Sequence, residues 1–176
     1  MAGTILNAFL GDYSGNGEWV DMTLPAERIQ EVADKYTRNG QRDLLIADYA
    51  SSYIDNPLDI DYMSLDEVKA LADTIQDLVS QYAENNIVSA ILSAADNYRS
   101  GSETISDFID SHEFYIYEDC DDMADVAYQV LEESGQINEL PEWAVGYIDY
   151  TKFGRDLEIE GQFYRGPEGI YVEING

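Results

Sequence analysis

Carboxylates are the reactive groups this chain holds in quantity, and they gather between Glu113 and Gly135, in EFYIYEDCDDMADVAYQVLEESG. Glu118, Asp119, Asp121 and Asp122 stand close together, and Asp125, Glu132 and Glu133 follow. Three kinds of chemistry use such a set. They are coordination of a hard cation, a paired acid and base at a glycosidic bond, and display of negative charge to a basic partner.

Calcium does not fit the spacing. An EF-hand register begun at Asp55 puts Pro57 at the third position and Ile60 where glycine is needed. Begun at Asp119, it puts Ala124 at the glycine position and Val130 at the bidentate glutamate position. Neither a metal site nor a cofactor is expected. Nothing in the spacing prevents two of the 36 acids from facing a cleft, so a glycosidase pair stays open on the residues alone, but no pattern selects one. The sole histidine, His112, has no second His or Cys at ligand spacing. Cys120 is the single cysteine, which rules out an internal disulfide framework. Its acidic neighbours should raise the thiol pKa, against use as a nucleophile. Gly15-Asn16-Gly17 fails the dinucleotide fingerprint because Val20 stands at the third glycine position, and neither a phosphate-binding loop nor a nucleophile elbow occurs. The chain is therefore read as no enzyme.

The elements that must position these acids follow from periodicity. Phe114 to Tyr117 reads as a short buried strand. Met123, Val126, Ala127, Val130 and Leu131 recur at helical spacing, with Gly135 placed to end the helix. Asp121, Asp125, Glu132 and Glu133 fall on the side away from that apolar stripe, and acids at the first turn suit the positive end of the helix dipole. Upstream, Thr4–Leu10 and Glu18–Thr23 read as strands joined through GDYSGNG, and a helix follows Pro25 and ends at Asn39-Gly40. A third strand starts at Leu44, and Ser51 to Asp61 reads as a boundary. Ser64-Leu65-Asp66-Glu67 is a capping-box sequence ahead of an amphipathic helix through Tyr82. Further helices span Ile87 to Tyr98 and Ser102 to Ile109. After Pro141, Trp143, Tyr147, Tyr150 and Phe153 recur at steps of four, three and three, as one packed helix face would. Gln162–Arg165 and Ile170–Ile174 read as a closing hairpin.

The fold class is thus α+β in three small modules: a mixed N-terminal module over 1–62, a helical module over 63–111 and a mixed C-terminal module over 112–176. The start, MAGTILNAFLGDY, has no basic region and only a short apolar run, so no signal peptide is expected. Nor does any segment approach the roughly 20 apolar residues of a membrane span. A cytoplasmic protein without membrane contact is expected.

Charge is the dominant property. Nine Lys plus Arg stand against 36 Asp plus Glu, a net of -27 in 176 residues. Such an imbalance makes a compact chain repel itself. Disorder is excluded because 45% of the residues are hydrophobic, with 14 Tyr, 5 Phe and 2 Trp to build a core. Residues 112–176 hold 16 acids and 3 bases, the densest part of a surface that is acidic throughout. A content of three lysines (Lys35, Lys69, Lys152) also fits halophilic adaptation, which gives no reason for the tyrosines. Duplex DNA carries one charge per roughly 1.7 Å of axis, so 27 charges match about 46 Å of duplex. A compact chain of this length is about 40 Å across. The chain can present charge at nearly the density of DNA, and steering and ion release would then favour a basic DNA-binding groove as they favour DNA itself.

DCDDMADVA (Asp119 to Ala127), LEESGQINELPEWA (Leu131 to Ala144) and YIDYTKFGRDLEIEG (Tyr147 to Gly161) closely resemble ArdA-type antirestriction proteins, and LLIADYASSY (Leu44 to Tyr53) looks like the corresponding N-terminal segment. The resemblance is dense in the C-terminal third and mostly compositional in the middle; the GDYSGNG loop and the middle helices depart from the family pattern. It implies a DNA mimic of a conjugative or other mobile element, which inhibits type I restriction-modification enzymes by occupying the DNA-binding groove of their methyltransferase core. It further implies three modules in a curved, elongated chain and a two-fold homodimer, with the region matching Leu131 to Tyr150 associated with antirestriction activity and the dimer contact. Trp143 and Tyr147 are then candidate apolar dimer contacts, the other reading being that both are core residues. The phosphate-mimicking carboxylates would be Glu118, Asp119, Asp121, Asp122, Asp125, Glu132, Glu133, Glu139, Glu142, Asp149 and Asp156, with no direct binding of nucleic acid. An acidic interaction module for another basic DNA-binding protein is the alternative.

Overall fold

The computed structural model describes residues 3–38, 41, 43–54 and 63–176. The chain divides into two compact units, Met1–Asp110 and Ser111–Gly176. The expected boundary at residue 62 adjoins residues 55–62, which lie outside the described residues.

The first unit opens with β1 (Asn7–Gly11) and β2 (Gly17–Asp21), an antiparallel pair. Their turn forms because the Asp12 carboxylate accepts from the amides of Ser14 (2.8 Å) and Asn16 (3.2 Å), while Gly15 takes φ +83°. β3 (Leu45–Ala50) pairs antiparallel on the other edge of β1, giving the order β2-β1-β3. Strand alternation buries Ala8, Leu10 and Val20 on one face. α1 (Ala26–Thr37) adds Ile29 and Ala33 to the core. Its last described residue, Arg38, is left-handed at φ 51°, and the expected Asn39-Gly40 stop lies outside the described residues.

α2 (Leu65–Gln81) starts at the capping box read from the sequence: Ser64 Oγ accepts from the Glu67 amide, and the Glu67 carboxylate accepts from the Ser64 amide (2.6 Å). Val68, Leu71, Ala72, Ile75 and Leu78 are buried at steps of three and four. α3 (Asn85–Tyr98) is buried nearly all round, from Ile87 to Leu92 and at Ala94 and Ala95. Ser89 Oγ donates to the Tyr53 carbonyl (2.9 Å), which ties α3 to the segment after β3. α4 (Ile105–Ser111) begins three residues later than expected, because Thr104 caps it by accepting from the Asp107 amide (3.0 Å).

The second unit is an antiparallel sheet, β4-β6-β5, with three helices and a 3₁₀ turn. β4 (Glu113–Tyr117) is only partly the buried strand expected over Phe114 to Tyr117: Tyr115 is 47% exposed and Tyr117 is buried. It is an edge strand paired with β6 (Tyr171–Asn175), and alternation turns half its side chains outward. β5 (Gln162–Arg165) and β6 form the closing hairpin. Tyr117, Cys120, Val126 and Tyr171 make one core cluster, with Met123, Val130 and Phe163 packed on it, and Ala127, Ile170, Val172 and Ile174 are also buried. α5 (Met123–Glu133) supplies four of these residues and ends as Gly135 turns left-handed at φ 73°.

The helix expected after Pro141 is two helices. α6 (Glu142–Val145) stops at Gly146, and α7 (Tyr150–Glu160) starts anew with Asp149 as cap, its carboxylate accepting from the Lys152 amide (3.0 Å). The four aromatic residues therefore share no face. Trp143 and Tyr147 pack edge-on against each other (6.4 Å) at 74% and 84% exposure, whereas Tyr150 packs against Tyr128 of α5 (5.5 Å).

Candidate partner-binding surface

The acidic stretch is a loop between β4 and α5 whose backbone is held on several sides. Asp119 has φ 56°, a left-handed conformation that Asp tolerates better than most residues. Cys120 then turns inward and is fully buried, its amide donating to the Gly169 carbonyl (2.9 Å). Gln129 Nε2, from α5, donates to the Glu118 carbonyl (2.7 Å) and to Cys120 Sγ (3.3 Å). Arg165 Nη2 donates to the Asp121 carbonyl (3.0 Å).

Two of the carboxylates build the start of α5. Asp122 Oδ1 accepts from the amides of Ala124 (2.7 Å) and Asp125 (3.4 Å), and Asp125 Oδ2 accepts from the Asp121 amide (2.8 Å). Asp122 thus satisfies two amides that the helix leaves open, Asp125 closes back on the residue before the cap, and two negative charges stand at the positive end of the helix. Burial pushes the Cys120 thiol up to about 11, with Asp125, Asp119, Asp121 and Asp122 adding to it. The acidic neighbours were the cause expected from sequence, but desolvation is larger, because the side chain points into the core. At neutral pH the thiol is protonated and unreactive. The Tyr117 hydroxyl donates to Glu173 (2.7 Å), and burial, then that bond, raises its pKa.

All eleven candidate carboxylates are exposed. None is in an ion pair among the described residues. Asp119, Asp125, Glu132 and Glu133 line one open groove with Tyr128 and Gln129. Glu139 lies on the 3₁₀ turn Gln136–Glu139, Glu142 on α6, and Asp149 and Asp156 at the start and middle of α7. No group of three or more His, Cys, Asp or Glu side chains converges into a metal site among the described residues. Among them, too, no helix is long and apolar enough to cross a membrane.

The family profile described as Antirestriction protein (ArdA) matches residues 8–172. The chain belongs to the ArdA antirestriction family. Comparison with curated proteins returns no match. Within this ArdA chain, the block Asp119–Ala127 is the braced loop and the first turns of α5, and Tyr147–Gly161 is α7 with its approach. Trp143 and Tyr147 are not core residues, so that reading is set aside.

Sequence reasoning missed the residues that hold this surface in place. Gly154 is buried on α7 where a Cβ would overlap the Met123 carbonyl at the start of α5, so only glycine lets the two helices meet there. A glycine inside a helical pattern was the available sign. Gln129 and Arg165 carried none, since each acts on backbone distant in sequence.

Proposed function

We propose that this ArdA chain inhibits type I restriction-modification enzymes by DNA mimicry, occupying the DNA-binding groove of the methyltransferase core as a non-enzymatic competitor. The observation that carries this reading is the state of the acids: eleven exposed carboxylates on a braced loop and short helices, none in an ion pair among the described residues. Unpaired surface charge of one sign favours association with a basic groove through steering and counterion release. Family membership supplies the class of target, restriction-modification enzymes. The organisation that goes with the reading is three modules, 1–62, 63–111 and 112–176, acting in the cytoplasm as a homodimer. Trp143 and Tyr147 are the proposed dimer contact, an exposed aromatic pair of the kind that desolvates well at interfaces.

Competition tests it. A type I methyltransferase bound to labelled cognate duplex is titrated with the protein at several salt concentrations. Displacement near stoichiometric protein, weakening as salt rises, is the expected result. Absence of displacement at low salt by folded protein overturns the proposal for this enzyme class, and displacement of DNA from another basic protein in the same assay would point to a general acidic interaction module.

A further inference from the structure

Three bases stand among the 16 acids of residues 111–176: Lys152, Arg155 and Arg165. Lys152 and Arg155 lie exposed on α7, and their side chains make no hydrogen bond or ion pair among the described residues. Arg165, the last residue of β5, behaves differently. Its guanidinium reaches 44 residues back to the Asp121 carbonyl (3.0 Å), and its Cζ lies 5.7 Å from the centre of the Tyr171 ring. The ring is buried in the core of the unit, so the cation stands on a fixed platform. The same hairpin grips the loop a second time. Gly169, at φ +77°, accepts from the Cys120 amide at 2.9 Å, and a Cβ there would press on the Cys120 carbonyl at 3.1 Å. Opposite them, Gln129 holds the Glu118 carbonyl. None of these contacts is to a carboxylate, so the carboxylates of Glu118, Asp119 and Asp121 stay outward while the peptide beneath them is fixed. Without such a brace, like charges this close would spread the loop apart. The loop would then have to be ordered again at the moment of binding.

We propose that Arg165 is a positioning residue of the acidic surface, holding the Asp121 peptide so that the carboxylates beside it are presented in one fixed arrangement. The inference rests on the inhibitor reading above, and it reverses the sign expected from charge alone. Removing a positive charge from a mimic of DNA should strengthen capture by a basic groove; removing Arg165 weakens it.

The test compares Arg165→Gln with Lys152→Gln and Arg155→Gln, which change the net charge equally. Each is titrated against methyltransferase-bound duplex, with concentrations referred to the folded fraction from thermal unfolding. Amide hydrogen exchange is followed at residues 119–122. The Lys152 and Arg155 variants compete as well as the parent or better. Arg165→Gln competes roughly three- to tenfold less well per folded molecule, the loss of one charge-assisted hydrogen bond at an exposed site. Its exchange rises at residues 119–122, and Arg165→Lys recovers part of both. A purely structural role would lower the unfolding midpoint and leave competition per folded molecule unchanged. Competition by Arg165→Gln equal to or better than the parent overturns the inference and leaves the inhibitor reading standing. Should the parent itself fail to compete, the inhibitor reading falls, and unchanged exchange in Arg165→Gln then overturns the bracing as well.

Discussion

In Met1–Asp110 bases stand beside acids: Arg28 pairs with Glu31 (2.8 Å), Lys35 with Glu18 (2.9 Å), Arg99 with Asp96 (2.9 Å), and Lys69 with Asp73. In Ser111–Gly176 the eleven candidate carboxylates have no such partner among the described residues, and the one base that reaches the acidic loop bonds to a carbonyl. The first unit carries 20 acids and 6 bases, a net of -14; the second carries 16 and 3, a net of -13, on 66 residues instead of 110. Surface ion pairs contribute only about 0–1 kcal/mol each, so their distribution says little about stability. It says more about outward field. One unit neutralises part of its charge locally, and the other leaves its charge available to a partner.

That contrast breaks most plainly under neutralisation in sets. Changing Glu118, Asp119, Asp121, Glu132 and Glu133 together to Gln or Asn should weaken competition with duplex on the order of a hundredfold at low salt and flatten its salt dependence by about four charges. Neutralising five exposed acids of the first unit, Glu27, Asp43, Asp66, Asp77 and Glu84, should cost far less. Equal losses in the two sets, measured by the same titration, would mean that only net charge matters and that the contrast is without consequence. A single change such as Asp156→Asn should alter competition by less than about twofold, since one phosphate-like contact among many is a small part of the total.

Gly154→Ala addresses the packing of the second unit. The added methyl meets the Met123 carbonyl, and overpacking of this kind costs about 1–3 kcal/mol against a gain of about 1 kcal/mol in helix propensity. Thermal unfolding should fall by several degrees in the second unit only. An unchanged midpoint would show that α7 can move off α5 freely.

Trp143→Ala with Tyr147→Ala should leave the intrinsic stability of the single chain within about 0.5 kcal/mol of the parent, because both side chains are already exposed on it, and should remove only the concentration-dependent stabilisation that dimerisation adds. Sedimentation should show dimer converted to monomer; a persistent dimer places the contact elsewhere.

The smallest expected effect is one of pH. The backbone amide of Ser64, and its side chain, hold the Glu67 carboxyl below its ordinary range. A depressed folded-state pKa contributes stability above the unfolded value, and that stability is lost as pH falls through the folded value. Glu67→Gln should therefore flatten the acid limb of the first unit's stability profile and leave the neutral plateau slightly lower, as read by unfolding between neutral pH and the carboxylate range.

Much of this architecture was legible in the sequence, and the reasons are local. The Ser64 capping box, the steps of three and four in α2, and the turn residues of both hairpins act over a few residues, so order along the chain is enough to read them. The helix after Pro141 misled because steps of three and four persist from Trp143 to Phe153 across a break at Gly146 that periodicity does not register. The strand at Phe114 to Tyr117 misled for another reason: its residues suit burial, but its place at the sheet edge turns Tyr115 outward.

By itself the sequence determined that the acids would be on the surface, since charge in such excess over base cannot be buried unpaired, and that the chain would nonetheless fold. It also determined which stretch is most acidic and that a helix follows it. Only the tertiary structure decided how that stretch is held. Arg165 meets Asp121, Gly169 meets Cys120, and Gly154 meets Met123 across gaps of 31 to 49 residues. No local pattern encodes contacts of that kind, because they exist only once the β5–β6 hairpin and α7 have packed against the loop and the start of α5.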